Sequence, residues 1–381
     1  MQEPRFSNMA KRVRQGATLA AALAVGAAIA GPAQAQTKLL MGYYSSSTAA
    51  NAAEGFIPWL ESVEEMSEGR IETEFVGGGA IVKTSTSLFA LRDGMVDLTN
   101  VYTPANPKEL PVATLLGDLS ALMNNDKAAA GALAQLQHFE CPDCVAEYDS
   151  WNTKLISSWA TPPYQLLCAT PIESADDFAG KRIRTTGHLT GIATGLGATP
   201  VNISLTEVYE SLQRGLVDCT FGQFVWLDDY SLAEQAKFLL TPNAGVVPAQ
   251  LWVGINKDTW NKLSEEDRQI LFDATPAAVA RVTFNYDSGA KEAIASAVEN
   301  GAIYNEPQDW LTEAVAAATT TVRDDAVARA EGSGVANAAA IADRFLEIYA
   351  EWEEKVKDIE TQEEFAQLLA DEVYSKVDVS Q

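Results

Sequence analysis

Asp177-Phe178-Ala179-Gly180-Lys181-Arg182-Ile183-Arg184-Thr185 opens the most legible stretch of this 381-residue chain. It continues through Leu196-Gly197-Ala198-Thr199-Pro200-Val201 to Thr206-Glu207-Val208-Tyr209-Glu210-Ser211-Leu212-Gln213-Arg214-Gly215-Leu216-Val217-Asp218. Three strands are predicted here: Lys181–Thr185, Thr199–Ile203 and Val217–Phe221. Between the first two, Thr186-Gly187 turns into a short helix that ends at Gly197. Between the last two, Ser204 caps a helix, Glu207 completes its capping box, and Leu205, Val208, Tyr209 and Leu212 mark its buried face. Strands alternating with helices in this order make an α/β lobe. The last strand runs into Gly222-Gln223-Phe224-Val225-Trp226.

The same unit stands about 120 residues earlier. A strand over Lys38–Tyr44 leads into a helix that reaches about Glu68, with a kink or restart at Pro58. The alternation of Ile71, Thr73 and Phe75 predicts a strand that stops at Gly77-Gly78-Gly79. A helix from about Thr84 to Asp93 then meets Gly94, and Met95–Tyr102 is a strand. Leu91-Arg92-Asp93-Gly94-Met95-Val96-Asp97 is echoed by Leu212-Gln213-Arg214-Gly215-Leu216-Val217-Asp218. In both, a helix ends at a glycine able to take the left-handed conformation and a strand starts with Val-Asp. Two lobes of one kind around a cleft form a clamp, and clamps close on ligands. Leu251–Asn256 adds a strand, Ser264-x-x-Asp267 caps a helix, and Ala-rich acidic helices fill most of 308–381. The expected division puts 36–160 with 250–305 in the first lobe. The second takes 161–249 with 306–381, including the C-terminal helices.

Lys11, Arg12 and Arg14 precede an apolar run from Ala17 to Ala30, and Ala33-Gln34-Ala35 supplies a small-x-small cleavage site. That run spans only about 21 Å of helix, against about 30 Å of bilayer core. Residues 1–35 are therefore read as an export signal, and the mature chain inserts in no membrane. The full chain carries a net charge of −25. Removing residues 1–35 leaves 23 basic against 51 acidic residues, a net charge of −28. Such a surface repels nucleic acid and anionic membrane. It also repels small anions at long range, so an anion site here needs concentrated local donors.

Catalytic motifs are missing: no G-x-S-x-G, H-E-x-x-H, P-loop or complete G-x-G-x-x-G occurs, and the histidines are His138 and His188. No cofactor motif and no metal set is read. Cys141-Pro142-Asp143-Cys144 is taken as a structural disulfide in an oxidising compartment, with redox catalysis the alternative. His188, after Gly187, is read as a surface residue or a cleft residue. Arg184 differs from the other cations. Strand alternation sets Arg182 and Arg184 on one face, and Arg184 lies at the C-terminal end, where open α/β sheets bind ligands. Its guanidinium can hold a carboxylate through two parallel bonds, or pair with one of the chain's many acids.

The run from Asp177 to Asp218, with Ser67-Glu68-Gly69-Arg70 and Leu91–Asp97 before it and Leu263-Ser264-Glu265-Glu266-Asp267-Arg268 after it, resembles the solute receptors of tripartite ATP-independent periplasmic (TRAP) transporters, the DctP type. The resemblance covers about residues 38–300. It implies a two-lobed periplasmic clamp with long connecting helices, a small organic-acid anion as ligand, and TRAP membrane permease subunits as partners. Arg184 falls on the family's carboxylate-binding arginine. Tyr164 stands where several relatives have a second basic residue, Thr84 where an acid is frequent, and Gly222 where an Asn is frequent, followed here by Gln223. With Tyr44, Tyr102, Phe221 and Trp226 as candidate walls, these departures imply a less polar monocarboxylate. Cys168 and Cys219 lie on neighbouring strands of the implied fold and are candidates to pair. The competing readings are a sensor-kinase ligand receptor and a periplasmic thiol–disulfide oxidoreductase using Cys141 and Cys144.

Overall fold

A computed structural model describes residues 36–380. The expected export signal, residues 1–35, lies outside the described residues. The strands are β1 (Thr37–Gly42), β2 (Ile71–Val76), β3 (Leu98–Val101), β4 (Thr153–Ala160), β5 (Gln165–Cys168), β6 (Arg182–Arg184), β7 (Thr199–Val201), β8 (Cys219–Gly222), β9 (Phe238–Leu240), β10 (Pro248–Asn256) and β11 (Ile303–Asn305). They form two sheets, in the orders β2-β1-β3-β10-β4 and β11-β9-β5-β8-β6-β7.

Each sheet contains three parallel strands joined by helices, then antiparallel neighbours. The repeated Gly-x-Val-Asp explains itself in this geometry. Gly94 and Gly215 take φ of 68° and 62°, which spares a side chain the left-handed penalty. The Asp that follows then pins the next strand to its neighbour. Asp97 accepts the Leu40 N–H at 2.9 Å and gives its own N–H to Leu40 O. Asp218 does the same with Arg182, at 2.8 Å in each direction. One carboxylate thus sets the register of β3 on β1, and another that of β8 on β6.

At Pro58 the helix restarts, as expected. The chain makes a wide π-turn over Ala52–Phe56 and continues as Ile57–Met66, with Pro58 in its first turn. The wider turn absorbs the ring and the missing donor.

The expected division into lobes needs two corrections. β11 pairs with β9, so residues 303–305 belong to the second sheet. The C-terminal helices do not all stay with that sheet. Asp309–Ala318 does, packing Ala318 against Gly195. The chain then returns: Arg329 is ion-paired with Asp118, and the helix Ala338–Val356 lies on Asp126–Gln135 beside the first sheet. Ile341, Phe345, Ile348 and Trp352 form its buried stripe, at helical spacing.

Asp126, at the start of the helix Asp126–Gln135, gives a pH-dependent prediction. Its side chain is buried, and among the described residues Oδ2 has no hydrogen-bond partner. Burial, reinforced by the charge of Asp287, pushes the carboxyl up to about 7. A group whose pKa is higher folded than unfolded contributes stability that is complete below the unfolded value, about 3.9, and lost as pH rises through the folded one. Asp126→Asn removes that loss. Thermal melts should therefore show a gain of a few degrees at pH 8, shrinking as pH falls and gone near pH 4.

Candidate functional site

The two arginines of β6 have different fates. Arg182, at the outer end, bonds Asp218 through Nε at 3.2 Å and Nη2 at 3.3 Å, and remains partly exposed. Arg184, at the C-terminal end, is 4% exposed. Its Nε donates to Ile203 O at 3.1 Å. Among the described residues, neither Nη has a hydrogen-bond partner and no carboxylate pairs with it. A buried cation without a counter-charge is costly and calls for an anionic partner.

Aromatic rings surround it. The Trp226 ring centroid lies 5.9 Å from the guanidinium carbon, within cation–π range. Tyr164 meets Trp226 edge-on with centroids 5.4 Å apart, and Tyr230 also meets it edge-on, at 6.0 Å. From the first lobe come Tyr44 and Tyr102, with ring centroids 6.4 Å apart. Burial holds the Tyr44 and Tyr164 phenols well above their ordinary range, so both remain neutral hydrogen-bond donors. Tyr164 thus offers the cluster a hydroxyl and no charge.

The lobes touch over this cluster. Tyr102 Oη donates to Thr186 Oγ1 at 2.9 Å, and Ser45 Oγ and Tyr230 Oη are 2.8 Å apart. Asp229 Oδ2 accepts the Ala50 N–H at 3.2 Å, and burial pushes its carboxyl up to about 6. A cavity of about 460 Å³ opens beside these contacts, lined by Tyr44, Ser45, Phe75, Gly77, Asp229 and Tyr230 among others.

Three expected site residues fall elsewhere. Phe221 has no exposed surface. Paired opposite Leu166 in the second sheet, it supports the site from the core and is no wall. The Gln223 amide is spent on Pro162 O at 2.6 Å and Thr161 Oγ1 at 3.3 Å, tying β8 to a segment that crosses between the lobes. Thr84 is half-buried ahead of the helix Ser87–Arg92, and no hydrogen bond joins it to the Arg184 cluster. His188 Nε2 lies 3.2 Å from Ala244 O, and burial pushes it down to about 4. Ser45, Asp229 and Tyr230 were not anticipated. Tyr230 follows Trp226 by one helical turn, a spacing that places both on one face.

The cysteines are structural. Cys141 and Cys144 are bonded, 2% and 1% exposed, at the start of the helix Pro142–Ser150. Cys168 and Cys219 face each other across β5 and β8 and are also bonded. A redox disulfide needs access for an attacking thiolate, which Cys141 and Cys144 do not offer.

The profile of the bacterial extracellular solute-binding proteins, family 7 (DctP), matches residues 43–329. The sialic acid-binding periplasmic protein SiaP of Vibrio cholerae is 26% identical over 267 residues, 67% of this chain and 75% of that one. A TRAP solute-binding protein from Rhodoferax ferrireducens, solved with copurified benzoate, superposes with a TM-score of 0.74 at 16% identity. The match covers 84% of this chain and all of that one. Another, from Bordetella bronchiseptica with bound (R)- and (S)-mandelate, gives 0.70 at 20% identity over 83% and 99% of the two chains. These structures share the two-lobed fold.

Proposed function

We propose a receptor for a small organic acid with a single carboxylate, because this chain belongs to the bacterial extracellular solute-binding proteins of family 7 and Arg184 is a buried cation with no counter-charge among the described residues. The receptor works in the periplasm and delivers its ligand to the permease of a TRAP transporter. No helix among the described residues is long and apolar enough to cross a membrane. Binding proceeds without turnover.

Arg184 is the observation that carries this reading. One guanidinium with both Nη groups available matches one carboxylate. Trp226, Tyr164, Tyr44 and Tyr102 then face the body of the ligand, and flat or apolar bodies suit such walls. The benzoate and mandelate held by the structural neighbours are acids of this kind.

A thermal-shift and calorimetric panel tests the reading. A ligand at 100 times its Kd adds about 2.7 kcal/mol of stability. Benzoate and mandelate should stabilise the protein, and succinate and malate should bind at least about tenfold more weakly, since a second carboxylate finds no second cation. Tight succinate binding beside weak monoacid binding would contradict the proposal, and so would conversion of the acid by the purified protein.

A further inference from the structure

We propose that the short helix Trp226–Asp229 couples ligand occupancy to lobe closure, with Asp229 as the latch that fastens the second lobe to the first. What occupies one end of this helix rests on the Arg184 reading above. What the other end does rests on contacts of its own.

The helix is a single turn with a different task at each end. Trp226 packs beside Arg184 and Tyr164, where a bound carboxylate and its body would press on the ring. Three and four residues later, Asp229 and Tyr230 reach the first lobe, at Ala50 N and Ser45 Oγ. The Tyr230 N–H donates to Trp226 O at 3.2 Å, so the two ends move as one body. The start of the segment is braced. Gln223 is tied to Pro162 and Thr161, and Val225 lies against Gly289 of the long helix Thr275–Glu299.

The receiving group suits a carboxylate. Ala50 is the first residue of the helical run 50–66, so its N–H has no acceptor within that run. A negative group at a helix N-terminus also gains from the helix dipole. Asp229, Ser45 and Tyr230 line the cavity between the lobes, so water replaces both contacts when the clamp opens. The role proposed for Asp229 is its contact with Ala50 across the lobes. It acts through closure and is a positioning residue.

Amide hydrogen exchange on the whole protein tests the latch without any ligand, and benzoate release then tests its coupling to the site. Asp229→Ala removes the acceptor, whereas Asp229→Asn keeps a neutral oxygen for Ala50. Exchange at the Ala50 amide should accelerate on the order of tenfold in the Ala variant and stay near wild type in the Asn variant. Benzoate dissociation should accelerate by a similar factor in the Ala variant only. Ala50 exchange that is unchanged by Asp229→Ala, or equally fast in both variants, overturns the latch. Failure of the carboxylate reading looks different: Arg184→Ala would then leave benzoate binding intact, whatever the exchange at Ala50.

Discussion

Arg184→Ala will weaken carboxylate binding by roughly 30-fold to several thousand-fold while leaving the protein folded. The range corresponds to the cost of truncating one partner of a buried charged pair, about 2–5 kcal/mol. Long-range electrostatics do not help this protein capture an anion, since its net charge is −25 before any processing. Capture depends on local donors, and Arg184 is a buried cation with both Nη groups available. Arg184→Lys keeps the charge but loses the planar fork, and it should bind nearly as poorly. Arg182→Ala is the control. It sits two residues earlier on β6 and spends its guanidinium on Asp218, so its loss should loosen strand pairing and spare affinity. Calorimetry on the three variants, with melts to confirm folding, separates these outcomes.

Trp352→Ala should cost about 3–5 kcal/mol of stability, the usual range for truncating a buried Trp. Trp352 is fully buried, and its indole N–H donates to Gln135 at 2.8 Å. Its ring packs against Gly131, where a Cβ would come within 2.1 Å of it. Gly131→Leu drives a side chain into the same ring and should cost a comparable amount. The two changes act on one contact, so the double variant should lose clearly less than the sum of the single losses. Denaturant titrations would show this. A small loss from Trp352→Ala would mean that the helix Ala338–Val356 is only loosely held on the first lobe.

The corrected placement of that helix shows where sequence reading runs out. The stripe Ile341, Phe345, Ile348 and Trp352 announces a helix with one buried face, but says nothing about which lobe covers it. The partner is a glycine inside another helix, and small residues carry no amphipathic signal. The 177–218 stretch was legible for the opposite reason. Its strands, caps and glycines are local, and Gly215-Leu216-Val217-Asp218 repeats an earlier pattern that proves to be a register pin.

The site divides in the same way. Arg184 could be singled out because strand alternation and strand end are local properties. Its freedom from a salt bridge could not, because any of the chain's acids was a candidate until Asp218 was seen to hold Arg182 instead. Phe221 is fully buried, and a strand aromatic at the cleft end and one in the core look alike in sequence. Ser45 and Asp229 depend on contacts between segments more than 170 residues apart. No spacing rule reaches that far.

A crystal structure with the tightest-binding acid of the panel tests the central claim most directly. It should show one carboxylate in the cleft, its two oxygens about 2.7–2.9 Å from the Arg184 guanidinium nitrogens, with the body against Trp226 and Tyr164. A ligand whose carboxylate is held by another group, with Arg184 turned to a protein acid, would contradict it.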